Sequence, residues 1–185
     1  MSHFRFENTP LAGLKVIHKT RLEDSRGHLS RFFCGEEFEE LGWRDNIVQI
    51  NHTFTRASGT VRGLHFQKKP HAEIKIVNCL KGKVFDLAVD LRPDSPTFLK
   101  WEGRELSGEN WLSFYIPEGF AHGFQTLTEN VEMLYFHSHG YHPESEGGIH
   151  PRDERLAIEW PVEVTELSDR DQKLGSVSEF VRLVH

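Results

Sequence analysis

The sequence predicts an all-β fold, a jelly roll with short helices at its periphery and C-terminus. Three observations favour this fold class. The middle of the chain is a succession of short segments rich in β-branched and aromatic residues, turn residues separate them, and helical patterns are confined to two short stretches. No linker, repeat or low-complexity tract divides the chain. We therefore expect residues 1–185 to form a single domain, which is long enough to bury a substantial core.

Five segments carry the strand pattern, and turn signals lie between them. In chain order the predicted strands are NIVQINHTF (46–54), HAEIKIVNCL (71–80), KVFDLAVDL (83–91), WLSFYIP (111–117) and VEMLYFHSH (131–139). The turn signals are KGK (81–83), RPDSP (92–96), PEG (117–119) and EN (129–130). The helical stretches are GEEFEELGW (35–43) and the tail after Ser168.

The segment KVFDLAVDL shows the clearest alternation of the five. One face carries only apolar residues, namely Phe85, Leu87, Val89 and Leu91. The other face carries Val84, Asp86, Ala88 and Asp90. Two carboxylates on one face of a central strand predict that this face meets polar groups or solvent, as in a jelly roll with a partly polar interior.

Composition excludes several functional classes. The formal net charge of -6 argues against bulk attraction to nucleic acid or to anionic lipid. The two cysteines, Cys34 and Cys79, predict reduced thiols rather than a disulfide framework. The N-terminal stretch MSHFRFENTP lacks an apolar signal core, so we expect a cytoplasmic protein with no membrane contact.

The stretch GTVRGLHFQ (59–67) raises the first question about function. Arg62 and His65 stand among core residues of a predicted strand, and such polar groups must find partners or face a cavity. Other polar residues occupy similar places: Gln49, Asn51, Lys75, His122 and Tyr135. Each of them alone is compatible with a purely structural role. Gln49 and Asn51 lie two residues apart and therefore share one face.

A transition-metal site is an alternative use of some of these residues. His65, His71, Glu73 and His122 offer the imidazole and carboxylate ligands that such a site needs. Their spacing argues against it, because Pro70 interrupts the interval between His65 and His71. The segment HSHGYHPESEGGIH (137–150) is typical of a solvated, histidine-rich loop with adventitious metal affinity.

Taken together, the motifs resemble those of the dTDP-4-dehydrorhamnose 3,5-epimerase family, the RmlC-type cupins. The resemblance covers most of residues 10–175. Its motifs are DSRG (24–27), QINH (49–52), RGLHFQ (62–67), KIV (75–77), VFDLAVDLRPDSPTF (84–98), LSGEN (106–110), IPEGFAHGF (116–124), MLYF (133–136), PESEGGI (143–149) and IEWP (158–161). It implies a cupin-type double-stranded β-helix and a homodimer that exchanges N-terminal strands. The substrate it implies is a nucleotide-linked 4-keto-6-deoxyhexose of deoxysugar biosynthesis, and no metal or other cofactor is required.

The resemblance also assigns roles to residues. It implies His65 as the base, paired with Asp171, and Tyr135 as the acid on the opposite face of the sugar. It implies Lys75 beside the C4 carbonyl. Residues that match substrate- and diphosphate-binding positions are Arg26, Gln49, Asn51, Arg62 and His122, with Arg26 serving the neighbouring subunit.

The chain departs from the family pattern at two positions. Arg31 stands where members carry glutamate, and Gly140 stands where they carry a tyrosine. Three alternatives to a 3,5-epimerase stay open, and the two departures bear on the first of them. These are an epimerase of one centre in another sugar, such as a CDP-linked 3,6-dideoxy 4-ketose, a metal-dependent cupin enzyme, and a non-catalytic sugar-nucleotide-binding protein.

Overall fold

The computed structural model describes residues 2–44 and 46–184, the side chain of Val184 excepted, and it is mostly β-sheet. The strands are β1 (Phe4–Asn8), β2 (Lys15–Lys19), β3 (Arg21–Asp24), β4 (Gly27–Ser30), β5 (Gln49–Thr55), β6 (Val61–Gln67), β7 (Lys75–Lys81), β8 (Lys83–Asp90), β9 (Trp101–Ser107), β10 (Leu112–Ile116), β11 (Phe120–Thr126), β12 (Val131–His137) and β13 (Glu146–Gly148). The α-helices are α1 (Gly35–Phe38) and α2 (Val177–Val184), and short 3-10 helices span Glu39–Leu41, Pro143–Ser145 and Asp171–Lys173.

Two antiparallel sheets make up the body of the molecule, which confirms the predicted jelly roll. One sheet has the strand order β1-β2-β10-β7-β12-β5, and the other has the order β13-β6-β11-β8-β9. Neighbours in each sheet are mostly distant in sequence, as expected of this topology rather than of a simple meander. The hairpin of β3 and β4 forms a separate two-stranded sheet.

The main core lies between the two sheets. It joins Val84 and Ala88 of β8 with Phe114 of β10 and Met133 of β12, all of them fully buried. Burying a large apolar side chain of this kind contributes about 1.5–3 kcal/mol. The core therefore stabilises β8 and β12, the strands that carry Asp86 and Tyr135.

Both outer faces of the sandwich are also covered. The 35–43 segment places Phe38 and Trp43 against Tyr115 and Phe136 of the six-stranded sheet. The C-terminal segment and α2 cover the other sheet, where Leu87 and Val89 form part of a second cluster. No helix within residues 2–44 and 46–184 has the length and apolarity needed to cross a membrane.

The aspartate face of β8 meets polar groups and not solvent. Asp86 and Asp90 are both fully buried, and each has hydrogen-bond partners. Asp90 accepts bonds from Arg92, Ser95 and Thr97, which close the turn after the strand. Asp86 faces the interior and belongs to the site described next.

The strand predicted over 71–80 begins later than expected. It starts at Lys75, because residues 71–74 form an irregular stretch whose backbone is held by side chains. The Ile74 N–H donates to Ser138 Oγ at 2.8 Å, and the carbonyl of His71 accepts from Gln67 Nε2 at 3.0 Å.

The two cysteines are free thiols, as expected, and burial raises the pKa of Cys79 to about 11.

Candidate active site

A cavity of about 640 Å³ opens between the two sheets. One wall is formed by β5, β7 and β12 of the six-stranded sheet, and the opposite wall by β6 and β11. A stretch of the C-terminal segment closes one side. Of the residues that the sequence predicted for a site, the cavity brings together Gln49, Asn51, Arg62, His65, Lys75, His122, Tyr135 and Asp171.

His65 and Asp171 form a hydrogen-bonded pair in this cavity. His65 Nε2 lies 2.7 Å from Asp171 Oδ1, and the Gly63 N–H donates to Asp171 Oδ2 at 3.1 Å. Burial raises the pKa of Asp171, but the bonds from His65 and Gly63 outweigh it and hold that pKa below its usual value. The carboxylate therefore accepts the Nε2 proton, and Nδ1 of His65 is the nitrogen free to act as a base.

A bulge in β6 explains how Arg62 and His65 both line the cavity. Side chains three apart in a regular strand point to opposite faces. The pairing of β6 with β11 shifts register here, with Phe124 opposite Arg62 and His122 opposite His65. Gly63 makes the shift possible, because its φ is 120° and a Cβ there would lie 2.7 Å from the Gly123 Cα.

Tyr135 faces His65 from the other sheet. It lies on β12, is 8% exposed, and its ring packs edge-on against the ring of His122 with centroids 6.1 Å apart. Burial, and secondly the charge of Asp86, raises the pKa of Tyr135. The phenol is therefore protonated at neutral pH and is available as a proton donor.

Lys75 belongs to a buried charged group that the sequence did not reveal. Glu73 Oε1 lies 3.1 Å from Lys75 Nζ, and Glu73 Oε2 lies 2.7 Å from His137 Nδ1. Burial raises the pKa of Glu73, but His137 and Lys75 outweigh it and keep the pKa below its usual value. His137 stands two residues after Tyr135, so strand alternation alone would have placed both on one face.

His122 has a carboxylate partner as well. Its Nε2 lies 2.9 Å from Asp86 Oδ2 and 3.1 Å from Asp86 Oδ1, and both residues are buried. Burial raises the pKa of Asp86, with His122 and Lys75 opposing the increase. His122 is thereby held in a fixed orientation at the wall of the cavity.

The remaining predicted binding residues divide into two groups. Gln49 and Asn51 share one face of β5, as expected, with Gln49 Nε2 donating to Asn51 Oδ1 at 3.1 Å. Arg62 is exposed at the cavity mouth and donates to Thr55 Oγ1 at 3.1 Å.

Arg26 is not among the cavity residues of its own chain. It lies in the hairpin of β3 and β4, pairs with Asp24 at 2.6 Å, and its side chain is 88% exposed.

The four residues weighed as metal ligands are drawn apart in the described part of the chain. His65 pairs with Asp171, His122 with Asp86, and Glu73 with His137. His71 contacts Ser145 Oγ at 2.7 Å and is absent from the cavity wall. Each is therefore directed to a different partner, and the four do not form one coordination sphere among the described residues.

The two departures from the family pattern lie outside the cavity wall. Arg31 pairs with Glu37 at 3.3 Å. At Gly140 an added Cβ would lie 3.9 Å from Val48 Cγ1, an ordinary van der Waals contact, so a side chain can begin there without a clash. Tyr141, the next residue, does line the cavity, and its hydroxyl donates to Glu146 Oε2 at 2.9 Å.

Comparisons with known proteins agree with this geometry. The sequence profile of the dTDP-4-dehydrorhamnose 3,5-epimerase family matches residues 8–179. The chain is 44% identical over 165 residues to the dTDP-4-dehydrorhamnose 3,5-epimerase of Salmonella typhimurium, covering 88% of this chain and 90% of that protein. It is 37% identical over 163 residues to a dTDP-4-dehydrorhamnose 3-epimerase of Streptomyces niveus, covering 88% and 78%.

A solved structure is similar over nearly the whole chain. This is the dTDP-6-deoxy-D-glucose-3,5-epimerase of Legionella pneumophila Philadelphia 1 in complex with dTDP-4-keto-L-rhamnose. The TM-score is 0.90 and the identity 42%, with 95% of this chain and 94% of that chain covered.

Proposed function

This chain belongs to the dTDP-4-dehydrorhamnose 3,5-epimerase family, and we propose that it is itself a cofactor-independent epimerase. Its substrate would be dTDP-4-dehydro-6-deoxyglucose, inverted at C3 and C5 to give dTDP-4-dehydrorhamnose. One observation carries the proposal. His65, oriented by Asp171, and Tyr135 lie on different sheets and face one cavity, so a sugar between them is open to a base on one side and an acid on the other.

The first step is removal of a proton next to the keto group. The C4 carbonyl acidifies the hydrogens at C3 and C5, because the electrons of the broken C–H bond delocalise onto O4 as an enolate. His65 Nδ1 takes the proton, and Asp171 stabilises the imidazolium that results. The Lys75 ammonium, held by Glu73, lies on the opposite sheet and would stabilise the charge on O4.

The second step is protonation of the same carbon from the other face. Tyr135 donates its hydroxyl proton, the enolate collapses back to the ketone, and the centre is inverted. The tyrosinate recovers a proton from solvent, and the imidazolium returns one to solvent, so no oxidant or reductant is consumed. Burial, and secondly the charge of Asp86, raises the pKa of Tyr135, which favours return of that proton between turnovers.

The polar wall of the cavity suits a nucleoside diphosphate. The planar guanidinium of Arg62 can bind phosphate oxygens in a bidentate manner. The amides of Gln49 and Asn51 offer both donors and acceptors on the opposite wall. His122 is fixed by Asp86 and would contact the sugar between His65 and Tyr135.

A homodimer would complete the site. Leu22 and Leu29 are directly opposite each other in the hairpin of β3 and β4, and they are 50% and 64% exposed. Adjacent exposed apolar side chains on a short hairpin are typical of a surface that a partner covers. Packing against the edge strand β5 of a second copy would cover both and carry Arg26 to that copy's cavity.

Inversion of a single centre is the second candidate. The similar protein from Streptomyces niveus is named as a 3-epimerase, and Gly140 leaves the space of a side chain unfilled beside Tyr141 at the cavity rim. A change of sugar orientation in that space would withdraw one of the two carbons from His65. Proton exchange at one carbon alone is the result that this candidate requires.

The two candidates are separated by NMR in deuterated solvent. The purified protein is incubated with dTDP-4-dehydro-6-deoxyglucose, and a sample without protein measures spontaneous exchange. We expect deuterium at C3 and C5 together with inversion of both centres. Deuterium at C3 alone would replace the proposal by the single-centre reaction. No exchange above the protein-free rate would contradict both and favour a binding protein.

A further inference from the structure

A cluster of imidazoles lies beside the cavity and plays no part in the proposed reaction. It joins the turn at His71 to the loop that carries His139, His142 and Glu144. The rings of His71 and His142 are parallel, with centroids 3.6 Å apart. The ring of His139 stands edge-on to both, at 5.1 Å and 5.2 Å. None of the four lines the cavity.

We propose that His71, His142 and Glu144 form a binding site for a divalent transition-metal ion of the Zn²⁺ class. Glu144 Oε1 lies 3.0 Å from His142 Nδ1 and 3.8 Å from His71 Nδ1. Two ligand atoms on a tetrahedral Zn²⁺, each at about 2.0–2.1 Å from the ion, lie about 3.3 Å apart. The two separations fall on either side of this value. A ring nitrogen binds a metal ion in the plane of its ring, so the parallel rings of His71 and His142 must tilt out of their stack when the ion binds.

The chemistry of the donors fits the same class of ion. Two imidazoles and a carboxylate suit Zn²⁺, Ni²⁺ and Cu²⁺ better than Mg²⁺ or Ca²⁺, which prefer oxygen ligands alone. A fourth position is left for water or for the ring of His139. His71 Nδ1 now shares a hydrogen bond of 2.7 Å with Ser145 Oγ, and ion binding would exchange that bond for a metal bond.

A buried side chain preorganises the two segments that carry the ligands. Gln67, only 7% exposed, donates from Nε2 to the carbonyls of His71 and Gly140 at 3.0 Å and 3.1 Å. Its Oε1 accepts from the His142 N–H at 2.7 Å. The backbones of both segments are therefore held in place before any ion binds, which reduces the entropic cost of binding.

Occupancy of this site would stiffen the rim of the cavity. Tyr141 and Glu146 line the cavity and flank the ligands His142 and Glu144 in sequence. An ion that ties this loop to His71 would limit its motion. The site itself does not depend on the proposed epimerase activity, because its occupancy is measured as binding and not as turnover.

The test is calorimetric titration of Zn²⁺ into chelator-treated, desalted full-length protein. We expect saturable binding of one ion per chain, and a higher melting temperature with Zn²⁺ present. His142→Ala and Glu144→Gln should each weaken binding by about tenfold or more, since each removes a ligand. His52→Ala is the matched control, because His52 also lies beside a carboxylate, Glu132 at 3.2 Å, but belongs to no cluster of three such ligands within the described residues.

Glu144 is exposed, so we expect Glu144→Gln to keep the fold. This variant therefore tests the proposed metal site even if His142→Ala does not fold. Circular dichroism checks both variants. Absence of saturable binding in the wild-type chain would overturn the proposal. Binding of wild-type strength in Glu144→Gln and in any folded His142→Ala would also overturn it, because the affinity would then be adventitious and belong to other histidines.

Discussion

At the scale of the residue, the cavity is distinguished by three histidines that each have a carboxylate partner. His65 pairs with Asp171, His122 with Asp86, and His137 with Glu73. A carboxylate partner fixes which ring nitrogen carries a proton, so each pair determines which nitrogen is turned towards the cavity. In the proposed reaction His65 is the base, and the other two pairs hold the side chains around the sugar in a fixed orientation.

Arg62 gives a test of diphosphate binding at the level of one side chain. Arg62→Lys keeps the charge but loses the planar fork that binds two phosphate oxygens at once. We expect dTDP affinity, measured by calorimetry, to fall by about tenfold. Arg5→Lys is the control, because Arg5 is exposed on β1 away from the cavity and should leave the affinity unchanged. Wild-type affinity in Arg62→Lys would remove this arginine from the binding site.

The residues at the site were predictable only in part. A polar side chain within a predicted strand must have a hydrogen-bond partner or face a cavity. The sequence therefore singled out Arg62, His65, Lys75 and Tyr135. Glu73 and His137 did not stand out as a pair, because they are 64 positions apart and meet only when β7 and β12 become neighbours. Partners brought together by sheet order carry no local signal in a single sequence. Their roles in the reaction stay predictions.

At the scale of the element, β6 shows where local patterns succeed and where they fail. Most predicted strands are confirmed within a few residues, because alternation and turn residues are local properties. The bulge at Gly63 was not predicted, since it arises from the close approach of β11. Without it, Arg62 and His65 would point to opposite faces of the sheet.

The bulge can be tested by adding one methyl group. In Gly63→Ala the new Cβ would lie 2.7 Å from both the Gly123 Cα and the His122 carbonyl oxygen, so β6 and β11 must separate. We expect the free energy of unfolding, measured by urea denaturation, to fall by about 2 kcal/mol or more.

Gly27→Ala is the matched control for this substitution. Gly27 has a similar φ of 130°, but nothing lies within 4 Å of its Cβ position, so only backbone strain is added. We expect a loss of about 1 kcal/mol there. If the two variants lost equal stability, the close approach of the strands would not be what makes Gly63 necessary.

At the scale of the whole molecule, one chain presents a hairpin with two exposed apolar side chains. That residues 1–185 form a single domain, and that two copies form the working unit, stay predictions. The apolar pair Leu22 and Leu29, placed opposite each other, is the feature that a second copy would cover.

Light scattering on a charged variant tests the dimer. Leu22→Glu combined with Leu29→Glu places two charges where the partner would pack, and we expect a monomer with weakened dTDP binding, since Arg26 no longer reaches a neighbour. Leu183→Glu is the control, because Leu183 is 74% exposed on α2 and should leave the dimer intact. A hairpin variant that stays dimeric, or a wild-type chain that is monomeric and fully active, would refute this arrangement.

The central claim is that His65 removes the proton and Tyr135 returns it from the opposite face. Deuterium incorporation and inversion, followed together by NMR in His65→Ala and Tyr135→Phe, test this claim most directly. His65→Ala should lose both by about 10²–10⁴-fold or more, because no enolate forms. Tyr135→Phe should retain exchange while inversion falls, because the proton returns to the side it left. An active His65→Ala, or equal loss of exchange and inversion in Tyr135→Phe, would contradict the division of roles between the two residues.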